Sequence, residues 1–281
     1  MTKEYVKVDH SHLLAELTDG ISALTSSAEW TKYLEVQARF HRYSANNCML
    51  IAMQSGGYAT QVAGFNTWKA QGRNVKKGEK GMYILAPLAF KSTDKVTGEE
   101  TYGVKGFRYV AVFDLAQTEG PDLPEIANKL TGAGPLGAYE TLAGVAGGLG
   151  FSVIDHDFEG SGVNGDCSHA NKVLRVEVTN SPAQRVKTLA HEISHAILHD
   201  PETGAKVERA IKELEAESSA YVICKALGLD TDAYSFGYVA GWSGGGDAAV
   251  KAIRASTERI HKATDQVLKA YESFKLEAVA A

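Results

Sequence analysis

The 281-residue chain reads as α+β in both of its halves. Three features predict this: stretches with helical apolar period, short β-branched and aromatic runs between polar turns, and a Pro/Gly-rich segment separating the halves. Ahead of that segment, residues 11–24 and 28–54 read as helices. The runs YILAPLAF and FRYVAVF then predict strands near 82–90 and 107–113, joined by the polar loop KSTDKVTGEETYG. The segment GPDLPEIANKLTGAGPLG, residues 120–137, holds three of the six prolines and four glycines. It places a domain over 1–119, a linker over 120–134 and a second domain over 135–281. In the second domain a glycine-loosened helix is expected over 136–149, then a strand over 151–154, a loop, and the strand KVLRVEV over 172–178. A helix over 182–199 is stopped by Asp200-Pro201, because the residue before proline disfavours helical backbone. Another helix spans about 205–227 and ends at Gly228, and a last one of mixed charge covers about 246–275.

Hydrophobic content of 44% and charged content of 22% are those of a soluble globular protein. No apolar run approaches the ~18–20 residues needed to cross a bilayer, and the N-terminus lacks the basic-then-apolar order of a signal peptide. No membrane partner is therefore expected. Cys48, Cys167 and Cys224 lie far apart with no C-x-x-C pair, which argues against a disulfide framework and fits a reducing cytoplasm. Cys167 and His169 read as residues of a glycine-rich loop. Charge is uneven: residues 30–115 carry twelve Lys/Arg against six Asp/Glu, whereas the whole chain has a net charge of −5. A basic segment inside an acidic remainder predicts a polyanion-binding part joined to a part with another task.

That other task is written in TLAHEISHAILHD, residues 188–200. On a helix, His191 and His195 project from one face a turn apart, a spacing that lets two imidazoles bind one zinc. Glu192 stands beside them, placed to take a proton from the attacking water and pass it to the leaving amine. Leu189, Ala190, Ile193, Ala196 and Ile197 surround this trio with a buried-helix pattern. Histidines and a glutamate on a buried face are costly unless a metal or polar partners satisfy them. His199 continues the series, but about 12 Å along the axis from His191 it lies too far to share the metal. It reads as structural or solvent-facing. For a third ligand the next helix, ERAIKELEAESSAYVICKALG, offers Glu213, Glu215 and Glu217. Glu213 and Glu217 lie about 40° apart, while Glu215 points about 160° from either. Ala210, Ala220 and Cys224 extend the Glu213–Glu217 stripe, so that face is expected to be buried.

His191-Glu192-x-x-His195 followed by ELEAESSA resembles the gluzincin-type peptidases, in particular the ImmA/IrrE family and its ArdC relatives. That resemblance implies a zincin-like fold, with Glu213 in the E-x-x-A frame as the third ligand and Glu217 orienting a histidine. Glu217 is the alternative ligand, since Ala220 follows it three places on. Zinc is the expected ion, with another divalent ion as the alternative. KVLRVEV sits where such peptidases place an edge strand that pairs with extended substrate. YSFGYVAGWSGGGDAAVKAIRASTERIHKATDQVL is similar to the C-terminal helix of ArdC proteins, and Tyr234 or Tyr238 is a candidate hydrogen-bond donor to the oxyanion.

In the first half, FHRYSANNCMLIAMQ and TQVAGFNTWKAQGRNVKKGEKGMYILAP resemble the N-terminal single-strand DNA-binding domain of ArdC antirestriction proteins. The residues alone point the same way. Phe40, Tyr43, Phe65, Trp68 and Tyr83 alternate with cations, and unpaired bases need stacking surfaces while their backbone needs positive charge. The expected DNA contacts are Arg39, His41, Arg42, Tyr43, Asn46, Asn47, Trp68, Arg73, Lys76, Lys77 and Lys80.

The resemblance thus implies a small α+β single-strand DNA-binding domain followed by a zinc metallopeptidase domain. It also implies a bacterial cytoplasmic setting, an unidentified protein substrate, and protection of incoming plasmid or phage DNA. Two other readings fit the same residues. One is an ImmA/IrrE-like regulatory peptidase that cleaves a repressor, and the other is a DNA-binding protein whose metal is not catalytic.

Overall fold

The computed structural model describes residues 11–24, 26–93, 100–121, 134–202, 207–229 and 246–280. The chain divides into two compact units, residues 1–20 with 46–123 and residues 21–45 with 124–281.

Helices α1 (Ser11–Ala23), α2 (Ser27–Arg39) and α3 (Ala45–Ser55) come first. The single helix expected over 28–54 is therefore two. At Phe40 the backbone leaves the helical region (φ −119°, ψ 34°), and the Tyr43 N–H closes a turn on the Phe40 carbonyl at 2.8 Å. The Phe40 and Tyr43 rings meet edge-on with centroids 6.1 Å apart, so aromatic packing turns the chain where helical period alone would continue it. The break matters because α2 belongs to the second unit and α3 to the first.

The first unit is built on an antiparallel sheet of β1 (Val62–Gly64), β3 (Met82–Thr93) and β4 (Glu100–Asp114), in the order β1-β4-β3. Helix α4 (Phe65–Ala70) and the short pair β2 (Asn74–Val75) and β5 (Thr118–Glu119) complete it. The hairpin runs further than its apolar cores suggested. Pairing continues to Thr93 and Glu100, converting much of the polar loop into strand. Met82, Ile84 and Val112 alternate inward and are buried, while Tyr83, Leu85, Tyr109 and Phe107 share the opposite face. The free edge of β3 is closed by α3. The Asn47 side-chain amide both donates to the Leu85 carbonyl (2.9 Å) and accepts from its N–H (2.8 Å). Two helical turns on, Gln54 repeats the arrangement at Tyr83, at 2.9 and 2.8 Å.

The second unit carries a mixed sheet of β6 (Ser152–His156), β7 (Gly165–Ser168) and β8 (Val173–Glu177), in the order β6-β8-β7. Strand β6 runs parallel to β8, and β7 antiparallel. KVLRVEV is thus the central strand, not an edge. Its apolar Leu174 and Val176 are fully buried, and the edge beside it is the glycine-led β7, whose sequence GDCS has no strand pattern. Helices α5 (Gly134–Gly148), α6 (Pro182–Leu198), α7 (Arg209–Ala226) and α8 (Gly246–Ala280) supply the rest. Helix α6 starts where Ser181 caps the Gln184 N–H ahead of Pro182, and it docks through Val186, Leu189, Ala190 and Ile193. Helix α7 is enclosed further by α2, whose buried Trp30 indole donates to Ser218 at 2.9 Å. Among the described residues no helix is long and apolar enough to cross a membrane.

Candidate metal centre

Helices α6 and α7 bring three ligand-type atoms together. The Nε2 atoms of His191 and His195 are 3.0 Å apart, and Glu213 Oε2 lies 3.5 and 3.6 Å from them. These three residues form a group able to hold a metal ion. The far side of each imidazole is occupied. His191 Nδ1 meets Glu217 Oε2 at 3.2 Å, and Glu217 is also paired with Lys187 at 2.9 Å. His195 Nδ1 meets His199 Nδ1 at 2.9 Å. With both Nδ1 atoms engaged, the Nε2 lone pairs are left for a common cation, so the donor set fits a divalent ion.

The two carboxylates of the stripe divide their labour. Glu213 is half exposed and faces the Nε2 pair, while Glu217 is three-quarters covered behind His191. The stripe is buried at Ala220 and Cys224, as periodicity suggested, but Glu217 is only partly covered and Glu213 is exposed. Glu215, on the opposite side, is the fully buried one, because α7 is packed on several sides. His199 is likewise buried rather than solvent-facing. Tyr234 and Tyr238 lie outside the described residues.

The electrostatics of the site favour positive charge among its carboxylates. Burial alone would lower the His191 pKa, but hydrogen bonds that Glu213 and Glu217 accept from it, and the Glu192 charge, carry it up to about 9. His195, buried beside a second imidazole, is lowered. Hydrogen bonds from both histidines hold Glu213 far below the usual carboxylate range. Glu192 behaves oppositely. Burial raises its carboxyl to about 7, in the range suited to proton transfer. It lies against β7, where a Cβ built on Gly165 would stand 3.1 Å from Glu192 Oε1, 2.5 Å from Thr188 Cγ2 and 2.8 Å from the Arg175 carbonyl. Only glycine leaves room for the glutamate there, a requirement that GDCS gives no hint of. Cys167 is on β7, not in a loop, with its Sγ 3.6 Å from His169 Nδ1. Burial and the Glu192 charge push its thiol up to about 12, so it is no thiolate nucleophile.

The residues expected to contact DNA fall in both units. Arg39, His41, Arg42 and Tyr43 lie in the second, where Arg42 pairs with Glu272 at 2.9 Å and Arg39 with Glu35 at 3.9 Å. In the first unit Trp68 is fully buried and donates to the Phe113 carbonyl at 2.9 Å. Arg73 is buried on Thr118, Gly120 and Pro121, and Asn47 is the clip on β3. The side chains of these three are committed to the fold. Asn46 is half-buried on α3, and Lys76, Lys77 and Lys80 are exposed. Four exposed aromatics stand out among the described residues of this unit, Tyr58 at 86%, Phe107 at 63%, Phe65 at 52% and Phe90 at 43%.

A His-Glu-x-x-His helix, a glutamate from the following helix and a mixed sheet ending in an edge strand beside the motif define a zincin-like metallopeptidase fold. Residues 11–113 match the family described as the N-terminal domain of anti-restriction factor ArdC, and residues 146–224 match the IrrE N-terminal-like domain. The chain thus joins a domain of the ArdC N-terminal type to an IrrE-like, peptidase-like second domain. The Mn(II)-bound crystal structure of the antirestriction ArdC protein from plasmid R388 aligns with 20% identity and a TM-score of 0.51, over 94% of this chain and 97% of that one. The metal-free structure of that protein aligns at 22% identity and TM-score 0.49, over 85% and 86%. An uncharacterized protein of Bacillus anthracis is 26% identical over 93% of this chain. The chain spans about half the length of that curated relative, 51%.

Proposed function

We propose that the second unit is a metal-dependent peptidase in which His191, His195 and Glu213 hold a divalent ion and Glu192 moves the proton. The observation that carries this is the convergence of His191 Nε2, His195 Nε2 and Glu213 Oε2 within 3.6 Å of one another. Two imidazoles and one carboxylate suit zinc with a fourth position open, and the Mn(II)-bound relative supports a site that accepts other divalent ions. When bound, the ion supplies Lewis acidity that polarises the scissile carbonyl and acidifies its water. Glu192, with its carboxyl raised to about 7, accepts the water's proton and returns it to the leaving amine. Glu217 fixes the His191 ring. An extended peptide adding to the free edge of β7 would run past Glu192.

The first unit is read as the single-strand DNA module. Exposed Lys69, Lys76, Lys77 and Lys80 offer backbone neutralisation, and exposed Phe65 and Phe107 offer stacking faces. Binding there would place the peptidase on incoming plasmid or phage DNA, in keeping with the antirestriction family.

The test is Glu192→Gln in the Zn2+-loaded full chain, assayed on a fluorescence-quenched peptide library. Hydrolysis is expected to vanish while one bound Zn2+ and the fold are kept. Loss of the metal with this substitution, or no hydrolysis by the wild-type protein, would overturn the peptidase assignment.

A further inference from the structure

Behind the centre, a chain of buried polar groups runs from His195 through His199 to Glu215 on α7 and on to Ser256 and Arg259 on α8. His195 Nδ1 and His199 Nδ1 are 2.9 Å apart, and His199 Nε2 lies 3.2 Å from Glu215 Oε2. Glu215 also accepts from Ser256 Oγ at 2.6 Å and from Arg259 Nε at 3.0 and 3.1 Å. The His199 side chain is 3% exposed and that of Glu215 0%. A buried carboxylate and imidazole in this position need every partner they have.

The proton positions follow from one constraint. If His195 gives Nε2 to a metal, its only N–H is at Nδ1, and that hydrogen points at His199 Nδ1. His199 must then present a lone pair at Nδ1, which puts its own hydrogen on Nε2, facing the Glu215 carboxylate. Every group in the chain is satisfied in this direction only. The reverse tautomer of His199 would set two N–H groups against each other at 2.9 Å and leave Glu215 Oε2 without its imidazole donor. The two ligand histidines are thus supported differently: His191 directly by a carboxylate, His195 through a second imidazole.

We propose that His199 is a positioning residue of the metal centre, an imidazole relay that locks His195 in the metal-binding tautomer and ties the centre to helix α8 through Glu215 and Arg259. This rests on the assignment of His191, His195 and Glu213 as ligands. The helix supplies the reason that His199 can serve. At the C-cap its backbone leaves helical values (φ −123°, ψ 29°), while its N–H still bonds the His195 carbonyl at 3.0 Å.

The test measures Zn2+ affinity of the full chain by chelator competition for the wild type, His199→Phe and His199→Gln, each checked for folding by circular dichroism. It is paired with 15N-histidine NMR of the Zn2+-loaded protein. His199→Phe removes the acceptor and should weaken Zn2+ binding about 10–100-fold, the usual effect of losing a partner behind a metal ligand. His199→Gln carries an acceptor and a donor in the same order and should recover most of that loss. The spectra should show His195 with its hydrogen at Nδ1 and His199 with its hydrogen at Nε2. Unchanged affinity in a folded His199→Phe protein, or a His199 hydrogen at Nδ1, overturns the relay while leaving the ligand assignment standing. A wild-type chain that takes up no Zn2+ overturns the ligand assignment and the relay together.

Discussion

Glu192 sits under opposing demands. Proton transfer wants a carboxyl near neutrality, and burial against β7 supplies it by raising the pKa from 4.5 to about 7. A carboxyl whose folded pKa lies above its unfolded one binds its proton more tightly in the native state. Stability is therefore full below about pH 4.5 and falls as pH rises through about 7. With metal removed by chelation, Glu192→Gln should be more stable than the wild type at pH 8, by up to about 3 kcal/mol. The advantage should disappear at pH 4, and parallel urea titrations at the two pH values measure it. An equal difference at both pH values would contradict burial as the cause. At this scale His191, Glu192 and His195 were legible because an i, i+4 spacing fixes the direction of side chains on a helix. Gly165 and His199 were not, because their roles depend on what packs against them.

Helix α3 shows how an element can disguise its purpose. Asn47 and Gln54, seven residues apart, face the same way and bind the backbone of β3 in place of a further strand. From sequence alone Asn47 could equally read a base edge, because the amide's chemistry is the same for either partner. Asn47→Ala should cost about 1–3 kcal/mol of stability by leaving the Leu85 N–H and carbonyl unsatisfied. It should leave the salt dependence of single-stranded DNA binding unchanged. Replacing Lys76, Lys77 and Lys80 together by alanine should instead flatten that log–log slope by about two. Salt titrations by fluorescence anisotropy, alongside urea melts, measure both effects. A stable Asn47→Ala protein with weakened DNA binding would return Asn47 to the interface. Helix α7 departs from a one-sided pattern for a related reason, being buried at Glu215 as well as at Ala220 and Cys224. Helical period ranks faces by burial only when one side is packed, and α6, α8 and α2 all pack on α7.

On the scale of the whole molecule, the α+β class and the order of helices and strands were legible from apolar period and turn residues. The assignment of α2 to the second unit was not, because a five-residue turn at Phe40–Ser44 carries no composition break. Trp30 shows the physical basis: it is buried and bonded to Ser218, 188 residues away. The presence of a divalent ion at the meeting of α6 and α7 is tested most directly by anomalous diffraction from Zn2+-soaked crystals recorded on both sides of the zinc edge. It predicts one strong peak per chain about 2.0–2.2 Å from His191 Nε2, His195 Nε2 and a Glu213 oxygen, with Glu217 still against His191 Nδ1. A peak bonded to Glu217 with Glu213 turned away, or no peak at these histidines, would contradict it.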